Sequence, residues 1–127
     1  MDRLVNAAVS ARDNARASFS GFCVGAAIED AEGRLHTGCN IENATLGLTV
    51  CAERVALFKA LSEGVRTFKR IAVATDAETL TAPCGACRQL LWEFCGDVEV
   101  ILANLRGKTE SLRLKDLFPR PFDASSL

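Results

Sequence analysis

Cys51-Ala52-Glu53-Arg54 and, one helix and one strand later, Pro83-Cys84-Gly85-Ala86-Cys87 decide how this chain is read. Together they offer three thiols and one carboxylate in two short clusters. A lone Cys-x-x-Cys serves redox or metal roles according to its context. The preceding Cys-x-Glu narrows that choice. Zinc prefers thiolate and imidazole ligands in tetrahedral geometry, and a catalytic site keeps three protein ligands and leaves the fourth position to water. Cys51, Cys84 and Cys87 supply three thiolates, so one Zn²⁺ is expected there. Glu53 lies two residues past Cys51. On the first turn of a helix that spacing turns it about 200° away, so the two do not grip one metal. Glu53 is placed instead to shuttle protons beside the bound water.

Three thiolates carry an electrostatic difficulty. Zn²⁺ with three Cys⁻ is a net monoanion, which works against activating a water. Arg54 follows Glu53 and Arg88 follows Cys87, and a guanidinium donating to a zinc-bound sulfur withdraws charge from the metal. Cys51 and Cys84 are both expected to open helices, whose free N–H groups favour thiolates. Pro83 suits a helix start. A purely structural zinc site takes four protein ligands. Cys23, Cys39, Cys95 and His36 are available for that role, but Glu53 argues against it. A disulfide scaffold fits poorly, because six cysteines in 127 residues fall below the Cys-rich range and apolar residues are plentiful. A thioredoxin-like role for Cys84 and Cys87 leaves Cys51 and Glu53 unexplained.

Composition sets the outer bounds. With 127 residues, 49% hydrophobic and 24% charged, the chain is read as one globular domain over residues 1–127, with 123–127 a loose tail. Net charge is −1 with no basic stripe, which argues against a nucleic-acid partner. No apolar run approaches a membrane span. Six cysteines behind an N-terminus without a secretory run suggest a reducing, cytoplasmic setting.

Residues 2–17 carry Leu4, Ala8, Ala11 and Ala15 at helical spacing. Ser18-Phe19-Ser20-Gly21 breaks that helix. Phe22 to Ile28 reads as a buried strand, residues 29–33 as a hairpin turn, and Arg34 to Cys39 as the returning strand. Alternation beyond it points Asn40 and Glu42 the same way, an amide and a carboxylate suited to vicinal hydroxyls or, more plainly, to an edge strand or turn. Cys51 to Glu63 is a helix closed by Gly64 and apolar nearly all round, hence buried or shared between subunits. Arg70 to Thr75 is a strand covered on both faces. Cys84 to Phe94 is a second cysteine-bearing helix, Val98 to Ala103 a buried strand, and Glu110 to Leu114 a fifth, shorter strand. A brief helical turn over 115–118 precedes Pro119. The order yields a mixed sheet flanked by helices, with both cysteine clusters at helix N-termini near strand ends.

The Cys-x-Glu and Pro-Cys-x-x-Cys pair has the form of the zinc deaminase signature, with Cys where other members carry His. Adding Thr37-Gly38-Cys39-Asn40-Ile41-Glu42-Asn43-Ala44, Phe22-x-Val24-Gly25-Ala26-Ala27 and Leu117-Phe118-Pro119 with Phe122, the chain closely resembles the small, homotetrameric cytidine deaminases. That resemblance implies a three-layer α/β/α fold around a mixed five-stranded sheet. It implies Cys51, Cys84 and Cys87 as zinc ligands, Glu53 as proton shuttle, and Arg54 tempering the thiolates. Asn40 and Glu42 hold the ribose 3′-hydroxyl, Phe22 stacks on the pyrimidine, the Ala52 backbone meets its edge, and Phe122 closes a neighbour's pocket. The implied reaction is hydrolytic deamination of cytidine and 2′-deoxycytidine in pyrimidine salvage. The alternatives are a deaminase of modified cytosine nucleosides or of a blasticidin-type antibiotic, and a zinc-stabilised binding module without turnover. Two departures stand out: Ser18-Phe19-Ser20-Gly21 replaces a segment that usually carries Tyr and Pro, and Leu46 replaces an aromatic.

Overall fold

The computed structural model describes residues 2–127. Its helices are α1 (Arg3–Ala11), α2 (Ala52–Ser62), α3 (Gly85–Cys95) and the short α4 (Leu114–Leu117). Its strands are β1 (Gly25–Asp30), β2 (Leu35–Cys39), β3 (Phe68–Thr75), β4 (Glu99–Asn104) and β5 (Thr109–Arg113). They form one mixed sheet in the order β2-β1-β3-β4-β5. Only β3 and β4 run parallel, and that pair is joined through α3, as a parallel connection requires a crossover. The other neighbours are antiparallel.

The middles of the central strands, Ala26 to Ile28, Ile71 to Ala74 and Val100 to Ala103, are apolar in every position because both faces are covered there. Ala26, Ile28, Ile71, Val73, Val100 and Leu102 face α2 and α3 and pack with Ala56, Leu57, Ala60 and Leu91. Ala27, Ala72, Ala74, Ile101 and Ala103 face the other way, against Leu4, Val5 and Ala8 of α1. The period-two alternation of these residues is what sorts them into two layers. Small side chains on the α1 side let that helix lie close to the sheet. The three-layer α/β/α arrangement expected from the sequence is thus present.

Two glycines mark the closest approaches. A Cβ on Gly25 would lie 2.0 Å from the Ala8 carbonyl oxygen, and one on Gly38 would lie 2.5 Å from the Ala56 nitrogen and 2.6 Å from the Ala52 oxygen. Both neighbours are helix backbone, which cannot rotate out of the way. Gly38→Ala is therefore expected to push α2 off β2 and to cost about 1–3 kcal/mol or more. Urea unfolding of the two proteins side by side measures it; equal midpoints would show that α2 yields without strain.

The first helix ends earlier than its sequence period suggests. It stops at Ala11, and a single 3₁₀ turn covers Arg12–Asn14. Beyond it the chain is captured by the segment after β2: Arg16 N–H donates to the Asn40 oxygen at 2.9 Å, and Glu42 N–H donates to the Arg16 oxygen at 2.8 Å. That pairing overrides the helical spacing of Ala15. The first strand likewise starts at Gly25 rather than Phe22.

The hairpin between β1 and β2 is built on Asp30. Its Oδ1 accepts from the N–H groups of Glu32 and Arg34, and its Oδ2 lies 2.9 Å from His36 Nε2. Among the described residues no helix is long and apolar enough to cross a membrane.

Candidate active site

Because β2 and β3 run in the same direction with β1 antiparallel between them, one end of the sheet gathers the ends of β2 and β3 and the start of β1. The helices that follow β2 and β3 begin there. Cys51 is the N-cap of α2 and Cys84 the N-cap of α3, as the sequence leads one to expect. Cys87 sits on the first turn of α3 and is buried. The Cys84 sulfur accepts from the Cys87 N–H at 3.5 Å, so the helix start itself fixes the spacing of the two thiols.

The sulfurs of Cys51, Cys84 and Cys87 all lie within 4.8 Å of one another, and Cys51 Sγ is 3.8 Å from Cys84 Sγ. A tetrahedral site with Zn–S bonds of about 2.3 Å separates its sulfurs by about 3.8 Å. The trio therefore fits a zinc ion. Among the described residues no further His, Cys, Asp or Glu joins the group. His36, one of the possible fourth ligands, is instead paired with Asp30.

The charges around the sulfurs favour a thiolate. Arg54 Nη2 donates to Cys51 Sγ at 3.3 Å. A hydrogen bond from Cys87, and after it the Arg54 guanidinium, hold the Cys51 thiol down to about 5 although burial opposes this. Cys87, which donates to Cys51 and is itself buried, is pushed far up. The Arg54 guanidinium and the Cys87 thiol thus both favour a thiolate at Cys51. Arg88 does not share this task. Its Nε donates to the Pro83 oxygen at 2.7 Å and its Nη1 to the Leu117 oxygen at 2.6 Å, so the reading of Arg88 as a donor to sulfur is corrected: its guanidinium is occupied by backbone carbonyls.

Glu53 is 5% exposed on the first turn of α2. Burial, with the neighbouring Cys51 charge adding to it, pushes its carboxyl up to about 7. Beside it opens a largely apolar cleft of about 270 Å³, whose lining includes Phe22, Asn40, Glu42, Cys51, Ala52, Glu53 and Cys84. Residues chosen from four separate stretches of sequence therefore meet in one cavity.

The polar groups of Asn40 and Glu42, which also line the cleft, are held in place. Asn40 is buried; its Oδ1 accepts from the Val24 N–H at 2.9 Å and its Nδ2 donates to the Phe22 oxygen at 2.8 Å. Glu42 Oε1 accepts from the N–H groups of Phe19 and Ser20 at 2.9 and 3.0 Å, and its Oε2 accepts from the Ser20 hydroxyl. These donors, the Ser20 hydroxyl first, hold the carboxyl below its ordinary range. A carboxylate has about four acceptor positions, so one remains for a ligand. Ser20 was not singled out from sequence; a serine before Gly21 reads as ordinary turn chemistry. Thr81 and Ala82 also line the cleft, and their only sequence signal is their place just ahead of Pro83. Phe122 does not reach this cavity. It is 62% exposed, and its carbonyl accepts from Gln89 Nε2 at 2.8 Å.

Residues 1–104 match the family model described as the cytidine and deoxycytidylate deaminase zinc-binding region. The chain belongs to this deaminase family. It is 46% identical over 130 residues to a cytidine deaminase of Halalkalibacterium halodurans, covering 100% of this chain and 98% of that one. It is 44% identical over 128 residues to a cytidine deaminase of Sporosarcina psychrophila, covering 100% and 94%. Its structure resembles a crystal structure of cytidine deaminase from Burkholderia pseudomallei with a TM-score of 0.92 and 44% identity, over 96% of this chain and 100% of that one. Family membership and the three-sulfur cluster agree on one zinc ion per chain, and the expected zinc deaminase fold is the one observed.

Proposed function

We propose that this chain catalyses the hydrolytic deamination of cytidine and 2′-deoxycytidine to uridine and 2′-deoxyuridine with release of ammonia. The observation that carries the reading is the three-sulfur cluster opening onto a cleft that also holds a buried carboxylate, Glu53. When bound, zinc supplies a Lewis acid that makes a coordinated water nucleophilic near neutral pH. Glu53 takes one proton from the attacking water and passes it to N3 of the pyrimidine, then takes the second from the new hydroxyl at C4 and passes it to the departing amine, which leaves as ammonia. The same side chain can hold and release each proton because it is kept from bulk water. Phe22 offers its ring to the pyrimidine face, and the Ala52 backbone meets the pyrimidine edge. Asn40 and Glu42 take the ribose hydroxyls, which supports a nucleoside over an antibiotic substrate.

The lining bears on the substrate's charge as well. Among the described residues no Lys or Arg lines the cleft, while Glu42 and Glu53 do. A 5′-phosphate brought into such a site meets like charge, at a cost of several kcal/mol. The test is the loss of cytidine absorbance with purified protein, with and without a chelator, and with cytidine 5′-monophosphate as a second substrate. Turnover of cytidine that the chelator abolishes is expected, with at least a hundredfold lower kcat/KM for the phosphate. No deamination by the zinc-loaded chain would leave a zinc-stabilised binding module as the reading.

The rest of the biological setting follows the same proposal. The chain works as one domain in pyrimidine salvage, in the cytoplasm, where six free cysteines are kept reduced. It assembles as a homotetramer in which Phe122 closes the pocket of an adjacent subunit. Exposed Phe19, Leu46, Leu48 and Phe58, together with Phe122, offer apolar surface for such contacts. Leu46, which stands where an aromatic is usual, and the Ser18 to Gly21 segment tune substrate preference at this rim.

A further inference from the structure

The C-terminal segment is tied to one helix by three side chains. Arg88 Nη1 donates to the Leu117 oxygen at 2.6 Å, Gln89 Nε2 donates to the Phe122 oxygen at 2.8 Å, and Trp92 Nε1 donates to Asp123 Oδ2 at 2.9 Å. All three belong to α3, the helix whose first residues carry Cys84 and Cys87. Only Arg88 also reaches the other way. Its Nε donates to the oxygen of Pro83 at 2.7 Å, the residue that leads into Cys84.

That carbonyl matters because of where it sits. Pro83 is fully buried. The carbonyl of the peptide unit between Pro83 and Cys84 is held by the Arg88 guanidinium. Hydrogen bonds from a charged donor are roughly twice as strong as neutral ones. The same guanidinium ends on the last residue of α4, whose Leu114 is part of the core. One side chain thus braces the cysteine turn against a fixed point of the fold.

We propose that Arg88 is a positioning residue for the metal centre: it sets the Pro83–Cys84 peptide, and through it the Cys84 sulfur, by bracing that peptide against the end of α4. The proposal rests on Cys84 being a zinc ligand. Gln89 and Trp92 anchor the C-terminal segment without touching the cysteine turn, so they serve as controls on the same helix.

The test is zinc affinity, measured by competition with a chromophoric chelator, for the parent chain and for Arg88→Met, Arg88→Lys, Gln89→Ala and Trp92→Phe. Thermal unfolding is recorded on each. Loss of partners that orient a metal ligand typically costs 10- to 100-fold in affinity, and Arg88→Met is expected to weaken zinc binding by about that factor. Arg88→Lys keeps the charge but has one ammonium for two carbonyls, so an intermediate affinity is expected. Gln89→Ala and Trp92→Phe are expected to lower the unfolding temperature while holding zinc as the parent does. Parent-like zinc affinity in both Arg88 variants overturns the proposal. So does an equal loss of affinity in all four variants, which would mark a general effect of destabilising α3. If Arg88→Met fails to fold, the lysine variant decides alone. Failure of the parent chain to bind zinc would strike the metal-centre reading itself and is told apart by that control.

Discussion

Glu53→Gln is expected to bind zinc as the parent chain does and to lose turnover of cytidine by about 10²–10⁴-fold, the range for removing a positioned proton-transfer group. The two halves of this expectation have separate causes. Metal binding rests on three sulfurs from the starts of α2 and α3, and Glu53 does not belong to that group. Proton transfer needs a carboxyl that can gain and lose a proton inside the cleft, and glutamine cannot. Glutamine is close in size to the buried glutamate but cannot ionise, so the substitution removes the proton transfer while nearly conserving volume. Metal content and kcat are measured on the same preparation. A variant with parent-like kcat shows that the proton travels by another group.

Cys84→Ser has the opposite profile: metal and stability are expected to fall together, and activity with them. Structural contributions of a bound metal vanish when its ligand set is broken. Loss of Cys84 removes the ligand at the N-cap of α3, whose sulfur also accepts the Cys87 N–H. The serine hydroxyl can replace that cap but is a poor zinc ligand. Zinc stoichiometry and unfolding temperature, each with and without added zinc, measure the effect. Added zinc is expected to raise the unfolding temperature of the parent and to leave the variant unchanged. A variant that retains one zinc per chain would show that the other two sulfurs suffice.

Most of the site was legible in the sequence because its signals are local. Cys51, Glu53, Cys84 and Cys87 lie in two short runs, and helix geometry alone separates the carboxylate from the sulfurs. The strands were legible too, since Ala72, Val73 and Ala74 or Ile101, Leu102 and Ala103 admit few other readings. What was not legible depends on contacts between distant segments. The early end of α1 comes from pairing of Arg16 with the chain around Ile41, which no helical period reveals. Ser20 gains its role only because the fold brings it to Glu42. Arg88 is the sharpest case. Its place beside Cys87 suggests a sulfur partner, yet helix α3 turns it toward the Pro83 and Leu117 carbonyls.

The claim on which the account rests is a zinc ion held by three thiolates with one position left for the reaction. X-ray absorption at the zinc edge of the loaded protein tests it most directly. Three sulfur neighbours and one lighter neighbour are the predicted result. Four sulfur neighbours, or three sulfurs with a histidine nitrogen completing the shell, would contradict it.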